Sequence, residues 1–595
     1  MALTAEQRAE QMKQAEELLF AGPPSSSFAK ALYFGHFNAE LMLPYPELPE
    51  SEREAVAASM AEVRRFCDEK IDAAKIDREA DIPSDIVLGL GKLGVLGWTI
   101  PKENGGRGMS QYSYCKVMEI LGGHDGAVGI FVNAHHSIGV RGMLLAGNEA
   151  QRTQWLPGLV TGEKLAAFAL TEPEAGSDAA NVQTQAVPTA DGSAYILNGQ
   201  KRYITNGALA QVLTVMARTP VPGSSETKIS AFLVTPDLPG FEVIQARQPK
   251  CGIRGTATAK LAFRDMRVPK ENLIGQLGKG LKLALTVLDF GRTTFGACCT
   301  GAARAAFEAA VRHANTRKQF GQTLGEFEMV KKKLAHMAAD IFAMESATYH
   351  CASLIDRGLE DYMVETAMLK VFASENLWRI VNDTIQIFGG QAYFTDEPYE
   401  RMMRDARINL IGEGANDVMR AFVAVVGMRD VGLMFKGGWE ALLNPFSQFG
   451  TARQFIGNRV AARIRAPEIP VQHEALRSAA QELGRRIKEF GLAVEAVLRK
   501  YREDVVEKQY VQERIAEAAM ELYTSSCVIS RLDRMLSQAP TESSRDLTVG
   551  RFYLRAANHR IKQRLADLWD NDDELMTETA DLVLGKPDSK RNGQQ

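Results

Sequence analysis

The chain has 595 residues, a nearly balanced net charge of −3 and an apolar fraction of 45%, which is ordinary for a globular protein. A chain of this length exceeds a single hydrophobic core, so we expect several structural units. The near-neutral charge gives no electrostatic footprint for nucleic acid. The seven cysteines are few and form no CxxC pair, which argues against a disulfide framework and against a zinc site.

The N-terminal segment MALTAEQRAEQMKQAEELLF is polar and rich in glutamate. It has neither the apolar core of a signal peptide nor the acid-poor composition of a mitochondrial transit peptide. No apolar run approaches the length of a membrane span. We therefore expect a cytoplasmic protein, with peripheral contact at the inner membrane as an open alternative.

The first three regions of the chain differ in the spacing of their apolar residues. Residues 1–50 read as an N-terminal arm, and helical spacing predicts a helical domain over 51–163. Residues 164–275 change to short apolar or alternating runs, which predict an antiparallel β-domain. Within it, Asn198-Gly199 lies between two such runs and predicts a hairpin turn.

Helical patterns return in the second half of the chain. Residues 276–430 fit a helical bundle, residues 431–474 read as a linker, and residues 475–595 read as a C-terminal helical extension. Within the linker, residues 446–465 place apolar side chains on one helical stripe, with arginines elsewhere. That pattern is typical of an amphipathic helix at a membrane surface, and packing on the extension's own core is an equal alternative.

Two motifs in the first helical region suggest sites that their context does not support. Gly89–Gly94 matches GxGxxG, but the apolar spacing before it is helical, so we expect these glycines to end a helix rather than to bind a nucleotide. His135 and His136 are adjacent on a predicted helix and point about 100° apart, so one metal ion cannot easily use both. We expect two polar helix residues there and no metal site.

Two other segments have the composition of binding loops. Phe168–Asp178 runs from an apolar strand into a loop with Pro, Gly and Ser, whose free backbone N–H groups suit a phosphate or a heteroaromatic edge. An ordinary strand exit is an equal alternative. In Ile411–Asp417, glycines flank Glu413, so a ligand can approach its carboxylate, which could act as a base. The alternative is a solvated turn in which Asn416 or Asp417 caps the next helix.

Several motifs along the chain match one known family in order and spacing. They are AFALTEPEAGSD, NGQKRYITNG, GRTTFGA, RKQFG, QIFGGQAYFTDEP and RDARINLIGEGANDVMR. The chain thereby resembles the acyl-CoA dehydrogenase family, and further segments near both ends are similar to its very-long-chain subgroup. The resemblance covers nearly the whole chain. It implies a mainly α fold with an N-terminal helical domain, a central β-barrel, a four-helix bundle and a C-terminal helical domain.

The resemblance also implies FAD as the cofactor and assigns residues to its site. The β-domain residues expected at the flavin are Phe168, Leu170, Thr171, Gly176, Ser177, Tyr203, Ile204 and Thr205. The residues expected at the adenosine end of the FAD in a neighbouring subunit, or close to it, are Arg317, Phe320, Gln386, Gly389, Gly390, Asn416 and Asp417. The residues expected to meet the substrate are Ser177, Asp289, Arg292, Gly412 and Gly414.

The implied reaction is α,β-dehydrogenation of an acyl-CoA, expected to be long-chain, to a trans-2-enoyl-CoA in fatty acid β-oxidation. Glu413 is the implied base that removes the α-proton, and the β-hydrogen leaves as a hydride to flavin N5. The implied partners are an electron-transferring flavoprotein as acceptor and a second copy of the chain in a homodimer. Two other functions stay open, namely an acyl-CoA oxidase that uses oxygen and an assembly or binding protein for a respiratory complex.

Two residues depart from the family pattern at the substrate pocket. Gly412 stands before the base where relatives have an aromatic residue, which should widen the pocket and admit a bulky or branched acyl chain. Asn133 stands where very-long-chain members have a small residue on the pocket floor, which should shorten the acyl tunnel.

Overall fold

The computed structural model describes residues 27–223, 226–443, 465–539 and 543–586. The candidate membrane-surface helix at 446–465 lies almost entirely outside these residues, and so does most of the predicted N-terminal arm. None of the helices in the described ranges combines the length and the apolarity needed to cross a membrane.

The first structural unit is helical. Its elements are α1 (Phe28–Tyr33), α2 (Ala39–Met42), α3 (Arg53–Lys70), α4 (Ala73–Glu79), α5 (Ser84–Lys92), α6 (Gln111–His124), α7 (Gly126–Val132), a π-helical turn (Asn133–Gly139), α8 (Arg141–Ala146) and α9 (Glu149–Thr161). Side-chain caps define several of the starts: Asp72, Ser110 and Asp125 each accept a backbone N–H three residues on. Asn148 and Gln151 form a capping box at α9.

The GxGxxG segment ends a helix, as predicted. Helix α5 ends at Lys92, and Gly94 follows with a φ of +71°. Gly91 also allows a close helix contact, since a β-carbon there would lie 2.0 Å from the Thr161 carbonyl oxygen. The glycines therefore serve helix packing.

The two adjacent histidines are buried and hydrogen-bonded within the fold. His135 Nε2 lies 3.0 Å from the Leu159 carbonyl oxygen, and its Nδ1 accepts the Ala166 N–H at 3.1 Å. His136 Nδ1 lies 2.9 Å from the Leu96 carbonyl oxygen. Burial lowers the pKa of both rings, so both are neutral at physiological pH. His135 thereby joins the helical unit to the first strand of the sheet.

The second unit is one sheet of eight strands. They are β1 (Ala166–Ala169), β2 (Gln185–Pro188), β3 (Ala194–Thr205), β4 (Val212–Pro220), β5 (Thr227–Val234), β6 (Phe241–Gln245), β7 (Thr258–Pro269) and β8 (Leu273–Ile274). The strand order is β6-β7-β3-β2-β4-β5-β8, and β1 pairs in parallel with β4. Most other neighbours are antiparallel. No ladder joins β6 to β8 in the described residues, so the sheet is open where the resemblance implied a closed barrel.

The predicted hairpin at Asn198-Gly199 is wrong. Strand β3 runs straight through these residues, and the register with β7 shifts between Leu197 and Gly199. Asn198 bridges the irregularity, because its Oδ1 accepts the Asp265 N–H at 2.8 Å. A β-carbon at Gly199 would lie 2.4 Å from Thr184 Oγ1. The glycine is therefore used for close strand packing at a bulge rather than for a turn.

The third unit returns to helices and is continuous with the C-terminal extension. Its elements are α10 (Gly280–Thr316), β9 (Lys318–Gln319), β10 (Gln322–Thr323), α11 (Glu328–Asp356), α12 (Met363–Phe388), α13 (Tyr399–Arg407), α14 (Asn416–Leu443), α15 (Arg477–Tyr501), α16 (Gln509–Gln538), α17 (Ser544–Asp567) and α18 (Asp573–Val583). The predicted fold class, mainly α with a central sheet and a C-terminal helical region, is confirmed.

The C-terminal extension shares a hydrophobic core with the bundle. Phe490, Tyr523 and Leu532 belong to the same buried cluster as Leu369 and Val423. Polar contacts cross the same boundary: His350 Nδ1 lies 2.8 Å from the Tyr523 hydroxyl. The extension therefore supports the helices that carry the candidate site from behind.

Candidate active site

Glu413 lies in a short turn between α13 and α14. Its backbone φ is +59°, in the left-handed region, and Gly414 follows with a φ of +101°. A β-carbon at Gly414 would lie 2.8 Å from Met419 Cε, so a larger residue would also collide there. A non-glycine residue keeps a positive φ only where its surroundings impose it, and such strain concentrates at functional sites.

The Glu413 carboxylate is directed at a glycine of α10. Its Oε2 atom is buried and has no hydrogen-bond partner among the described residues. A β-carbon on Gly291 would lie 3.3 Å from that oxygen. Burial raises the pKa of Glu413, and the charges of Arg292 and Lys370 offset part of this effect. An unpartnered carboxylate of this kind can accept a proton from a bound ligand.

Arg292 connects the turn to α10. Its Nε donates to the Glu413 carbonyl oxygen at 3.3 Å, and its Nη1 donates to Asp289 Oδ1 at 3.0 Å. Thr366 Oγ1 donates to the same Asp289 oxygen at 2.9 Å. Arg292 and Asp289 are both buried, and burial raises the pKa of Asp289 despite the guanidinium beside it. The structure therefore brings two of the predicted substrate residues against the candidate base.

The predicted flavin loop begins at strand β1. Phe168 and Thr171 are half-buried and Leu170 is buried, whereas Gly176 and Ser177 are exposed. No atom lies within 4 Å of the position that a Gly176 β-carbon would take. Open backbone at a glycine suits the close approach of a phosphate or a ring edge.

A buried ion pair anchors this loop to the sheet. Lys201 Nζ donates to Glu172 Oε1 at 2.6 Å, to the Leu170 carbonyl oxygen at 3.1 Å and to the Met216 carbonyl oxygen at 2.7 Å. Glu172 Oε2 accepts the Gln183 N–H at 2.6 Å. Burial lowers the pKa of Lys201 to about 8, and the adjacent Glu172 opposes that effect. The pair fixes both ends of the loop that contains Gly176.

Strand β3 supplies three further predicted residues. Tyr203 has a φ of +61°, and its side chain is left 55% exposed, with the Arg202 guanidinium 4.5 Å from the ring centroid. Thr205 is half-buried. The Ile204 side chain packs inside the sheet, so this residue can reach a ligand only through its backbone. Tyr203 is the member of the group that offers a ring to a ligand.

The residues expected at the adenosine end of a cofactor are exposed. Arg317 lies before strand β9, and Phe320 between β9 and β10 has a φ of +49° and is 94% exposed. At the end of α12, Gln386, Gly389 and Gly390 are exposed, and no atom lies within 4 Å of either glycine's β-carbon position. An aromatic ring this exposed suits burial against a ligand or a second subunit.

Asn416 and Asp417 face in different directions. Asn416 is buried, its Oδ1 accepts from Lys370 Nζ at 2.7 Å, and its Nδ2 donates to Ser374 Oγ at 3.1 Å. Asp417 is exposed. The Asn416 side chain is therefore engaged inside the bundle, whereas the Asp417 side chain is open to solvent.

Both departures from the family pattern have a visible effect on space. The atom closest to a Gly412 β-carbon position would be the Ile408 carbonyl oxygen at 3.6 Å, so the side-chain volume beside the base is free. Asn133 is buried, and its Oδ1 accepts a short hydrogen bond from Thr294 Oγ1. Thr294 Oγ1 also lies 2.9 Å from Ser137 Oγ. A polar cluster therefore lies one helical turn from Gly291.

Sequence reasoning missed three residues of this region. Lys370 donates to the Gly414 carbonyl oxygen at 2.6 Å, directly behind the base. Lys201 and Glu172 anchor the flavin loop. The sequence does contain a signal for Lys370, because it is a single charge inside the apolar run AMLKVFA of a predicted buried helix. A charge at such a position is rare unless it is hydrogen-bonded, and its partner cannot be identified without the fold.

Comparisons with known proteins identify the family of the chain. Four family profiles match in order: the acyl-CoA dehydrogenase N-terminal domain (53–163), middle domain (167–266) and C-terminal domain (278–427), and the ACAD9/ACADV C-terminal domain (474–585). The human very long-chain specific acyl-CoA dehydrogenase, mitochondrial, is 37% identical over 91% of this chain and 84% of its own length.

Two solved structures are also similar. An acyl-CoA dehydrogenase complexed with FAD from Bacillus anthracis is 27% identical, with a TM-score of 0.77 over 94% of this chain and 95% of that one. A chain from the electron transferring flavoprotein of Acidaminococcus fermentans is 36% identical, with a TM-score of 0.60 over 64% of this chain and 99% of that one.

The fold places N-terminal helices, a central sheet and a helical bundle in this order, and a turn of the bundle presents a buried carboxylate oxygen. Together with the matching profiles, this arrangement is that of a flavin-dependent dehydrogenase. The chain belongs to the acyl-CoA dehydrogenase family, with the C-terminal domain of its ACAD9/ACADV members. It is accordingly an FAD-dependent oxidoreductase that dehydrogenates acyl-CoA in fatty acid oxidation.

Proposed function

We propose that Glu413 is the base that removes the α-proton of the acyl-CoA. The observation that carries this proposal is the buried, unpartnered Oε2 in an enforced left-handed turn, with the backbone of Gly291 opposite it. A carboxylate oxygen that accepts no hydrogen bond within the protein stays available for a substrate proton. The glycine lets the carboxylate lie close to helix α10.

The same residue offers a donor for the thioester carbonyl. In the described part of the chain, the Glu413 backbone N–H has no acceptor. Arg292 holds the carbonyl side of the same residue at 3.3 Å. A fixed N–H donor aimed at a substrate oxygen stabilises the negative charge that develops there when the α-proton leaves. One residue thus supplies both the base and part of the oxyanion stabilisation.

The residues fit FAD at both ends of the predicted site. The open backbone at Gly176, Gly389 and Gly390 admits phosphates, and the exposed rings of Tyr203 and Phe320 suit the isoalloxazine and adenine ends. When bound, FAD supplies the acceptor for the hydride that leaves the β-carbon. The residues of the protein align the acyl chain, hold the α-proton acceptor and exclude water.

Two partners follow from the site. An electron-transferring flavoprotein is the proposed acceptor, and a similar solved chain has that description. A homodimer is supported by the exposure of Phe320, because a ring that is 94% exposed in one chain can close a cofactor site of another.

For the linker segment 446–465, co-sedimentation with anionic liposomes tests contact with a membrane, and equal binding after its deletion would exclude that role.

The acyl pocket is expected to end at the polar cluster of Asn133 and Thr294. One turn beyond them on both helices lies a cavity of about 290 Å³, whose lining includes Ile130, Phe295 and Cys298. We propose that the hydrogen bond between Asn133 and Thr294 closes the acyl pocket before it reaches this cavity. We therefore expect a long-chain substrate whose chain is shorter than that of relatives with a small residue at this position.

Anaerobic reduction of the bound flavin by acyl-CoAs from butyryl to stearoyl tests the proposal. Loss of flavin absorbance with some of these thioesters is expected for the wild-type protein, and no loss is expected for Glu413→Gln with the same flavin content. Reduction by Glu413→Gln at the wild-type rate would exclude Glu413 as the base. Rapid peroxide formation without an added acceptor would indicate an oxidase instead.

A further inference from the structure

Lys370 is a buried cation behind the candidate base, and no established role accounts for it. It lies on helix α12 and has no exposed surface. Its Nζ donates to the Gly414 carbonyl oxygen at 2.6 Å and to Asn416 Oδ1 at 2.7 Å. Neither acceptor carries a charge, so this lysine makes no ion pair within hydrogen-bond distance in the described residues. A buried ammonium without a carboxylate contact is costly and is kept only where its position matters.

The two acceptors of Lys370 lie on the C-terminal side of the strained turn. Gly414 directly follows Glu413, and both have a positive φ. Asn416 begins helix α14 and is tied to α12 a second time, because its Nδ2 donates to Ser374 Oγ at 3.1 Å. Lys370 therefore links α12 to the backbone immediately after the base. Without it, the Gly414 carbonyl would lose its partner in a partly buried position.

Among the charged groups around Lys370 in the described residues, Glu413 is the one without an oppositely charged partner at short distance. The groups that face Lys370 are Cys299 and Arg292 from α10, Glu375 from α12 and Glu413 from the turn. Glu375 accepts from Arg420 Nη2 at 2.7 Å, and the Arg292 charge is shared with Asp289 at 3.0 Å. In the part of the chain that the structure describes, the charged groups that face Glu413 are Arg292 and Lys370.

We propose that Lys370 is a positioning residue for the base: it holds the turn that presents Glu413, and its charge favours the ionised carboxylate that the reaction requires. This inference rests on Glu413 as the base. Burial lowers the pKa of Lys370 to about 8, so the ammonium form predominates at neutral pH, where this role is needed.

The test is the pH dependence of flavin reduction in Lys370→Met and Lys370→Arg, measured anaerobically with one saturating acyl-CoA. The rate rises with pH as Glu413 ionises. Removal of the nearby cation raises the pKa of Glu413, so in Lys370→Met the acid limb should move up by about one pH unit or more. Lys370→Arg keeps the charge and should keep the wild-type midpoint. The flavin-to-protein ratio and the circular dichroism spectrum should be unchanged in both.

Lys30→Met is the matched control. Lys30, on helix α1, is also a buried lysine. Its Nζ pairs with Asp361 at 2.7 Å, away from the turn that contains Glu413. The acid limb of the pH–rate profile of Lys30→Met should coincide with that of the wild-type protein. Should Lys370→Met not fold, Lys370→Gln, which keeps a donor and loses the charge, replaces it with the same expected shift. An unchanged midpoint in the uncharged Lys370 variant, or an equal shift in Lys30→Met, would overturn the inference.

Failure of the proposed function has a different signature. In that case the wild-type protein would show no acyl-CoA-dependent reduction, or Glu413→Gln would remain active. If the Lys370 inference is wrong, wild-type activity and the defect of Glu413→Gln are still observed. Only the shift of the acid limb in Lys370→Met is then absent.

Discussion

Gly291 lies opposite the Glu413 carboxylate: a β-carbon on this glycine would stand 3.3 Å from Glu413 Oε2 and 2.7 Å from Ile138 Cγ2. The glycine therefore lets Ile138 and the carboxylate of the base pack close to helix α10. A single methyl group there would push against both and displace the carboxylate.

Gly291→Ala is expected to lower the flavin reduction rate at least about tenfold, because displacements of this size misalign reacting groups. Stopped-flow reduction under saturating acyl-CoA measures the effect. Gly123→Ala is a suitable control on another helix, since its β-carbon would lie 3.0 Å from the Gly301 carbonyl oxygen and outside the turn. A wild-type rate in Gly291→Ala would show that the working position of the base does not depend on this glycine.

Glu413→Gln is expected to stabilise the folded protein as well as to inactivate it. The folded-state pKa of Glu413 is raised, so the folded protein loses stability as pH rises through that pKa, relative to the unfolded chain. An amide does not ionise and therefore avoids this loss.

Thermal unfolding at several pH values measures this difference. The gain in melting temperature of Glu413→Gln over the wild type should be small at acidic pH and should increase towards pH 8. Glu413→Asp, which still ionises, should show no such increase. A gain that does not depend on pH would indicate a packing effect instead of relief of a buried charge.

Lys201→Met is expected to weaken both FAD binding and the fold. Removal of the ammonium leaves Glu172 buried without its partner and releases the Leu170 carbonyl oxygen beside the flavin loop. Breaking a buried pair on one side costs roughly 3–5 kcal/mol. The apparent Kd for FAD, from quenching of flavin fluorescence on titration of the apoprotein, should rise at least about tenfold.

The double variant Lys201→Met with Glu172→Gln separates the pair from the loop. It leaves no unpaired charge, so unfolding stability should recover partly while FAD affinity stays low, because the loop anchor is still missing. Recovery of FAD affinity in the double variant would show that the ion pair acts only through general stability.

Much of this fold could be predicted because its signals are local or motif-based. The helical spacing of 51–163 and 276–430 and the run of short strands between them have the periods of the observed elements. The hairpin turn predicted at Asn198-Gly199 was wrong, although the local sequence is typical of a turn. Pairing with β7 and the contact of Gly199 with Thr184 decided the conformation instead, and these are long-range contacts. The expected closure of the sheet into a barrel was not found for a related reason. Closure depends on hydrogen-bond ladders between strands that are distant in the sequence.

The residues of the candidate site also divide into those with a local sequence signal and those that only long-range contacts identify. Glu413 was a candidate base from the sequence because glycines flank it and because its motif resembles that of the family. The hydrogen bond from Lys370 to Gly414, in contrast, joins residues 44 positions apart. Glu172 lies within a quoted motif, yet its pairing with Lys201 on another strand could be assigned only from the structure. Residues that bind a ligand tend to lie in recognisable loops, while the residues that hold those loops are recognisable only by contact.

Asn133→Gly is expected to shift the substrate preference towards longer acyl chains. The change removes the acceptor of the Thr294 hydroxyl and opens the way to the cavity of about 290 Å³ lined by Ile130 and Cys298. Each methylene that becomes buried adds about 0.8 kcal/mol of binding free energy. The apparent KM for stearoyl-CoA should fall relative to that for octanoyl-CoA, with little change in kcat for the shorter substrate.

Ser137→Ala is the matched control, because it also removes a partner of Thr294 but keeps Asn133 across the passage. It should keep the wild-type ratio of KM values. If Asn133→Gly keeps the wild-type ratio as well, the acyl chain does not follow the line from Gly291 past Thr294, and the cavity beyond them is unconnected with substrate length. A fall in the ratio for Asn133→Gly alone places the end of the pocket at the Asn133 side chain.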